Sequence, residues 1–574
     1  MAFLLVILWA ALFEQMKSLL LYLPVFLCLI SCHQKQKADL VLYNGVVYTV
    51  DGKFSVAQAF AVKGGKFIAV GTNDDIRNGF EAAKTIDAGG KPVYPGFFDA
   101  HCHFLSYGKM RSEVDLVGCL SFKEMVDRVV RFAKTNKSPW ILGRGWDQNR
   151  WLGKEFPVKD TLDKLFPNTP VYLSRVDGHA ALVNQKALDL AGIDFTTTVE
   201  GGKVLTYSMP ETKKLKERLR GLGTVDNPVN IIGLSGVLID NACDLVKKVI
   251  PEPSHEEIVK YLLKAQEDCF KVGLTTVDDA GLDKKVIDIM DSLQKSGKLK
   301  MRIYAMASGT PENLDYYLGH GPYKTDRLHV CCFKFYADGA LGSRGACLLQ
   351  PYLDKPAEQG FLLNPQQFYK DAAKRIANSK FQMATHCIGD SANRFMLHVY
   401  ASVLKPGNNR RWRIEHAQIV NKNDFSLFGK YNILPSMQPT HATSDMYWAA
   451  DRIGAERLKG GYALKWLMQE NGVLPTGSDF PVESINPLYG FYAAVSRQDS
   501  VGSPTGGFQP ENALTREEAL KGMTIWAAYS NFEENEKGSI EPGKWADYVI
   551  LDKDIMTIPI KETRAAKVLT NSLE

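Results

Sequence analysis

Apolar and polar residues alternate at both ends of the chain. Residues 39–70 contain two alternating runs, with turn signals at Asn44-Gly45 and Gly64-Gly65. This pattern is typical of antiparallel strands that bury one face. It returns in residues 538–554 and 565–570. We therefore expect the two chain ends to meet in one β-sandwich.

The middle of the chain shows short apolar runs separated by segments of helical periodicity. This order predicts a parallel sheet with helices between its strands. Eight such strands favour a closed (β/α)8 TIM barrel. The predicted fold class is thus α/β, a TIM barrel with a flanking β-sandwich. The eight predicted strands are residues 97–103, 274–280, 302–307, 332–339, 383–390, 412–418, 433–439 and 474–481.

A long segment separates the first two predicted barrel strands. It is far longer than a normal connection between a strand and a helix. We therefore predict that residues 107–270 form a large insertion after the first barrel strand, an inserted lid subdomain. The sandwich would then comprise residues 32–95 and 537–574, and the barrel would comprise residues 96–106 and 271–536.

The N-terminus carries two apolar runs that nothing later in the chain matches. Lys17 precedes the second run, which ends at Ser31-Cys32, and this order is typical of a signal peptide. We predict that residues 1–31 are a signal peptide, that translation starts at Met16, and that Cys32 is lipidated. An uncleaved anchor helix across both runs is the alternative. The first reading predicts a bacterial cell-envelope protein with a lipid anchor in the membrane, facing the periplasm or the exterior.

The composition and net charge limit the kinds of molecule that this protein is expected to bind. Hydrophobic residues make up 45% of the chain and charged residues 23%, and the net charge of +5 is spread without a long basic block. The chain is therefore globular, and no nucleic-acid partner is expected. We expect a small-molecule substrate, and a homodimer is an open alternative for the oligomeric state.

Four histidines fall near the carboxyl ends of predicted barrel strands, where barrel enzymes carry their active sites. His101 and His103 are two residues apart in an extended strand, so both imidazoles can face inward. Such a pair can clamp a metal ion, although two histidines that serve packing or the surface would leave the same pattern. His386 and His416 lie in the fifth and sixth predicted strands.

Lys334 and Asp479 add charged groups to the same set of strands. Lys334 lies in an apolar strand, where an unpaired ammonium is costly. Carboxylation by carbon dioxide would convert it to a carbamate that can bridge two metal ions, and pairing with Asp338 is the alternative. Asp479 can bind a metal through one oxygen and accept a proton from water through the other. A helix N-cap or a turn aspartate is the alternative role of Asp479, and either can coexist with metal binding.

Five further residues are candidates for contact with substrate. Arg175, Asp177 and His179 alternate, so in an extended segment they would form one polar wall, unless they are a salt-bridged lid surface. Arg344 lies in a glycine-rich loop and would bind a substrate carboxylate or remain solvated. His441 is a candidate catalytic residue that polarises the substrate or holds an oxyanion. The alternative for His441 is a loop histidine with no role.

Together these residues resemble the amidohydrolase superfamily, and within it the amidohydrolase-3 branch of YtcJ-like metal-dependent hydrolases. The resemblance covers about residues 38–570. It implies a barrel with one or two divalent metal ions at its mouth, and zinc is the expected ion. The motifs that carry it include PGFFDAHCHF, GRGWDQNRW, SRVDGHAALVN, KFYADGALGSRGA, THCIGDSANR, RIEHAQ, SMQPTHATSD and TGSDFPVESINPL.

The resemblance also implies a ligand set and a reaction. His101, His103 and Asp479 would hold the more buried ion. Lys334, as a carbamate, would bridge it to a second ion at His386 and His416. The expected reaction is hydrolysis of a C–N bond in a cyclic or N-substituted amide, with Asp479 as general base. A lactonase, a deaminase, or a non-catalytic surface protein that binds or regulates are the alternatives on the same fold.

Overall fold

The computed structural model describes residues 35–208 and 232–573, together with Trp9. The predicted signal peptide and the predicted lipidation at Cys32 lie outside the described residues, so membrane attachment stays a prediction. Among the residues described, no helix combines the length and apolar character needed to cross a bilayer.

Two sheets built from both chain ends pack face to face as a β-sandwich. The rings of Phe67 and Tyr548 each contact Phe60 edge to face inside it. The prediction that the chain ends meet is confirmed. The pattern did not predict the helix Asn73–Gly79 or the strand that follows it. In sheet order, the strands are Lys66–Gly71, Ala59–Lys63, Gln36–Tyr43 and Phe80–Asp87 in one sheet, and Val568–Asn571, Tyr548–Leu551, Pro92–Pro95, Val46–Tyr48 and Val56–Ala57 in the other.

Seven parallel strands form the wall of the predicted barrel, each paired with the next along the chain. The short strand Tyr323–Lys324 pairs with the fourth of them on the side. The wall strands are β1, Phe97–Cys102; β2, Leu274–Leu282; β3, Arg302–Ser308; β4, Leu328–Tyr336; β5, Gln382–His386; β6, Arg413–Glu415; and β7, Leu434–Ser436.

Several of these strands end earlier than the apolar pattern predicted. The predicted strand 383–390 stops at His386, because the Asp338 carboxylate accepts the N–H groups of Ile388 and Gly389 and turns the chain toward a helix. Strand β6 stops before His416, whose φ of 70° is incompatible with a strand.

The eighth predicted strand, residues 474–481, is not a regular strand, yet it closes the barrel. Its Gly477 N–H donates to Met437 O at 3.2 Å, beyond β7, and its Thr476 O accepts from Ala100 N on β1 at 3.2 Å. The left-handed backbone of Asp479, with φ at 61°, ends the extended run. The α/β class and the barrel are therefore confirmed, with an irregular last member.

Side chains alternate across the barrel wall. On β4, Phe333 and Phe335 belong to the large apolar cluster shared with the surrounding helices. Between them, Lys334 points inside and reaches His101 on β1. This period of two leaves the interior near the carboxyl ends of the strands to polar groups.

Helices surround the barrel wall and supply the outer half of its apolar cluster. The helix His255–Lys271 begins with a capping box between Ser254 and Glu257, and it buries Leu262 and Ala265 in that cluster. The other helices of this part are Phe104–Met110, Lys284–Lys295, Pro311–His320, Gln366–Ala377, Asp390–Val403, Phe425–Lys430, Pro439–Asp445, Ala449–Leu458, Leu464–Asn471, Pro487–Ser496, Arg516–Gly522 and Ile525–Ser530.

The segment between β1 and the helix His255–Lys271 builds a sheet of its own. The helix Phe122–Ala133 packs Met125 and Val129 against Trp146 of this sheet. We call this segment the insertion, and its domain limits at residues 107 and 270 stay a prediction. In sheet order its strands are Gly202–Ser208, Ile232–Asp240, Ala180–Val183, Val171–Arg175, Ile141–Trp146 and Val114–Asp115. The other helices in the described part of the insertion are Asp160–Leu165, Gln185–Ala191 and Asn241–Lys247.

A buried ion pair joins the barrel to the sandwich, and it yields a stability prediction. Arg302 at the start of β3 donates to Asp547 through Nε at 2.7 Å and through Nη2 at 3.0 Å. Asp547→Ala leaves the guanidinium buried without a counterion, so we expect the free energy of unfolding to fall by about 3 kcal/mol. Urea denaturation followed by circular dichroism measures this loss.

The exposed pair of Arg375 and Asp315, 2.6 Å apart, provides the matched control. Asp315→Ala should lower the free energy of unfolding by less than about 1 kcal/mol. Equal losses in the two variants would show that burial of the Arg302 pair does not matter for stability.

Candidate metal centre

His101, near the end of β1, lies at the centre of the polar cluster inside the barrel. Its Nδ1 contacts a carboxylate oxygen of Glu415, and its Nε2 lies 3.2 Å from Lys334 Nζ and 3.7 Å from Asp479 Oδ1. Burial and the nearby Lys334 ammonium lower the pKa of His101 to about 4. The imidazole is therefore neutral, and Nε2 is available as a ligand atom.

Asp479 lies between two imidazoles. Its Oδ1 is 3.3 Å from His103 Nε2, and its Oδ2 is 3.6 Å from His441 Nε2. Burial raises the pKa of this carboxyl, but the neighbouring imidazoles of His103, His416 and His101 together hold it well below the ordinary value. The next helix begins at Pro487 with a different cap, so the alternative reading of Asp479 as an N-cap is wrong.

His416 and His386 complete the ring of imidazoles. The His416 ring centroid lies 4.7 Å from that of His101 and 4.7 Å from that of His386. His416 Nδ1 is hydrogen-bonded to Gln438 Oε1 at 2.7 Å, which leaves its Nε2 for other partners. His386 Nε2 is 3.9 Å from Asp338 Oδ1.

Lys334 is buried among these groups. Burial lowers the pKa of its ammonium to about 8, although the Glu415 and Asp479 carboxylates oppose this shift. The Asp338 carboxylate accepts three backbone N–H groups, from Cys347, Ile388 and Gly389. It forms no ion pair with Lys334, so the alternative in which Asp338 neutralises this lysine does not hold.

Among the described residues, two sets of three side chains place their ligand atoms within 4.8 Å of one another, and both include Asp479. The first set is His101, His103 and Asp479, the three residues that the resemblance assigned to the more buried ion. The second set is His416, His441 and Asp479. His441, which the sequence analysis assigned to the substrate, therefore lies at a ligand position, and it belongs to the helix Pro439–Asp445 rather than to a loop.

The buried polar atoms of the cluster fit a divalent cation. His386 Nε2, His441 Nε2 and Asp479 Oδ1 are each buried without a hydrogen-bond partner. An orphaned acceptor of this kind is costly unless a cation or a donor satisfies it. Imidazole nitrogen and carboxylate oxygen, with no thiolate, suit zinc and similar divalent ions.

The charges below the imidazoles were not predicted from the sequence. Glu415 at the end of β6 pairs with Arg413 Nε at 2.6 Å, and Arg413 Nη1 donates to Asp278 Oδ2 at 2.8 Å. Burial raises the pKa of Glu415, but the Arg413 guanidinium and His101 hold it well below the ordinary value. The signal in the sequence was the pair of charges in WRIEH, which lie two residues apart in an otherwise apolar strand.

A cavity of about 1860 Å³ opens above these groups, between the barrel and the insertion. Arg175, Asp177 and His179 line it, but they do not share one extended face. The strand ends at Arg175, because Asp177 Oδ1 accepts the His179 N–H at 3.0 Å and Gly178 has a φ of 80°. The three residues therefore line the cavity, but not as one alternating face of an extended strand.

These three residues form their ion pairs and hydrogen bonds mainly with one another and with other residues of the insertion. Arg175 forms ion pairs with Asp177 and Asp147. His179 Nδ1 is 2.8 Å from Asp240 Oδ1, and its ring centroid is 4.8 Å from that of His386. His179 thus brings a group of the insertion next to the imidazole of His386.

Arg344 lies away from the cavity wall. Its guanidinium pairs with Asp354 at 2.7 Å. This ion pair neutralises Arg344, which was a candidate to bind a substrate carboxylate.

Comparison with known proteins gives a consistent result. The sequence profile of the Amidohydrolase family matches residues 84–571. The chain is 32% identical to Protein LONG AFTER FAR-RED 3 of Arabidopsis thaliana, over 93% of this chain and 90% of that protein. It is 26% identical to an N-substituted formamide deformylase of Arthrobacter pascens, over 93% of this chain and 97% of that protein.

A solved structure shares the fold. The crystal structure of an uncharacterized metal-dependent hydrolase from Pyrococcus horikoshii superposes with a TM-score of 0.71 at 27% identity, covering 91% of this chain and 99% of that one. The profile match covers the barrel, the insertion and part of the sandwich, and the barrel carries a donor set that suits a divalent metal. The chain belongs to the amidohydrolase family.

Proposed function

We propose that this protein hydrolyses the C–N bond of a cyclic or N-substituted amide with the help of a divalent metal, zinc being the expected ion. The observation that carries the proposal is the convergence of His101, His103 and His441 on the Asp479 carboxylate, at the floor of the cavity. The similarity to an N-substituted formamide deformylase supports an amide as the substrate class.

The two sets of ligand atoms support a choice of metal ligands. His101, His103 and Asp479 would hold one ion, and His416 and His441 would hold a second together with Asp479. His386, next to His416, would also contribute to the second ion. Lys334 would contribute as a carbamate, because an ammonium beside His101 Nε2 would repel a cation there. A divalent ion lowers the pKa of water and polarises a carbonyl oxygen.

Asp479 is placed to move the proton. In the proposed reaction, the water oxygen bonds to the amide carbon while Asp479 accepts the water proton. The C–N bond then breaks as Asp479 gives this proton to the leaving nitrogen. His441, whose Nε2 is 3.6 Å from Asp479 Oδ2, would orient the carbonyl oxygen or share in metal binding.

A substrate panel tests the reaction class. We expect metal-loaded protein to release amine from N-benzylformamide or to open dihydrouracil, and Asp479→Asn to lower the rate by about 10³-fold. His398→Ala, an exposed histidine on an outer helix, is the control and should retain full activity. A preference for γ-butyrolactone or adenosine would instead indicate a lactonase or a deaminase. Metal binding without any turnover would favour a non-catalytic binding protein.

Metal analysis tests the centre directly. By plasma mass spectrometry, we expect about two equivalents of zinc in the wild type, and one or fewer in Lys334→Ala and in the double variant His386→Ala, His416→Ala. His398→Ala should bind as the wild type does. If Lys334→Ala keeps the full metal content, a carbamate bridge is ruled out.

The hydrogen bond that the Glu415 carboxylate accepts from His101 Nδ1 should strengthen metal binding through His101. Glu415→Gln keeps the shape of the side chain and removes its charge, so we expect the zinc affinity to fall by about 10- to 100-fold. Competition with a chromogenic chelator measures the affinity.

Another buried glutamate supplies the matched control for this effect. Glu533 Oε1 lies 3.3 Å from His329 Nδ1, away from the cavity. Glu533→Gln should leave the zinc affinity unchanged. If both variants lose affinity equally, the effect reports general destabilisation of the fold.

A further inference from the structure

One wall of the cavity carries a cation that no carboxylate of the described chain pairs with. Arg144 lies on the strand Ile141–Trp146 of the insertion and lines the cavity. Its Nη2 donates to Val176 O at 3.1 Å, and its Nε is buried without a hydrogen-bond partner. Most of the hydrogen-bonding capacity of this guanidinium is therefore unused.

Three carboxylates of the insertion that line the same cavity are paired with other residues. Asp147 and Asp177 both pair with Arg175. Asp240 binds His179. Arg144 thus keeps its positive charge at the cavity wall.

The backbone around Arg144 directs its side chain into this position. The strand register shifts between Arg144 and Trp146, with Gly145 at a φ of 116°. Such a bulge re-aims the neighbouring side chain. A Cβ on Gly178 would lie 3.3 Å from Arg144 Nη2, so the bare glycine lets the turn pass close over the guanidinium.

We propose that Arg144 binds a carboxylate of the substrate, so that the amide which this protein hydrolyses carries a negative charge remote from the bond that breaks. This inference rests on the proposed function. The planar fork of a guanidinium matches a carboxylate through two parallel hydrogen bonds.

Arg144 is better placed to bind a substrate carboxylate than Arg175 or Arg344. Arg175 is neutralised by two aspartates, and Arg344 by Asp354 outside the cavity. A substrate carboxylate at either residue would have to displace an internal ion pair. At Arg144 it would satisfy a guanidinium that has only one hydrogen bond.

A pair of matched probes tests the inference. N-formylphenylalanine and N-formylphenylalaninamide differ in one negative charge, and formate release reports hydrolysis of either. We expect wild-type protein to favour the acid. Arg144→Gln should lower kcat/KM for the acid by about thirtyfold or more, while the value for the neutral probe changes little. Arg144→Lys should recover part of the preference, since it restores the charge without the fork.

A control and a second readout separate this inference from the proposed function. Arg131→Gln removes an exposed positive charge of the insertion and should keep the wild-type preference. Thermal stabilisation of the metal-loaded protein by each probe reports binding without turnover. The acid should raise Tm more than the neutral probe does in the wild type, and Arg144→Gln should abolish this difference.

Each outcome decides one of the two proposals. Stabilisation by the acid that depends on Arg144, without formate release, would support the carboxylate site and contradict formamide hydrolysis. Equal turnover of both probes, unchanged by Arg144→Gln, would overturn the carboxylate site and leave the reaction standing. An acid preference that persists in Arg144→Gln would place the anion at the metal centre instead.

Discussion

The contact between His101 and Glu415 is the point on which the centre of this barrel depends. Below it, Glu415 pairs with Arg413, and Arg413 reaches Asp278 on β2. Each of these charges is fully buried, and an isolated charge in such a place costs several kcal/mol. These four residues form a column of buried groups that is stable only as a whole. The removal of one member leaves the charge of its neighbour without a partner. His101 is the upper end of this column, so the packing of the barrel interior sets the direction of its free nitrogen.

Closure of the barrel imposes a second constraint on the same centre. The Asp479 N–H donates to His101 O at 2.8 Å, so the residue that carries the carboxylate also bonds to the first strand. Gly477 lies so close to this strand that a Cβ would meet His101 N at 2.5 Å. The peptide groups that complete the ring therefore also fix Asp479 between His103 and His441. A regular eighth strand would direct this carboxylate elsewhere, which is a physical reason for the irregular ending.

Much of this arrangement was predictable because successive side chains of a strand point to opposite faces, which gives the sequence a period of two. Apolar runs located the wall, and polar residues within those runs, such as His101 and Lys334, marked its interior. The surrounding groups were not predictable in this way. Glu415 and Arg413 lie two residues apart on the same strand and stabilise each other. They affect the centre, however, through contacts with β1 and β2, which no local pattern reveals. Arg175 and Arg344 looked available because their partners come from turns and loops whose course depends on tertiary contacts.

The barrel and the insertion differ in how well each can distinguish one substrate from another. A metal ion polarises amide, lactone and amidine carbons alike, so the groups on the barrel floor cannot by themselves select a substrate. Selection requires contacts that one substrate makes and another lacks. A side chain whose partners are all internal contributes little to that difference, since a ligand gains nothing by replacing a satisfied ion pair. The residues that select are therefore those whose hydrogen-bonding groups the fold leaves unpaired at the wall, and on the insertion this description fits Arg144 better than the paired Arg175.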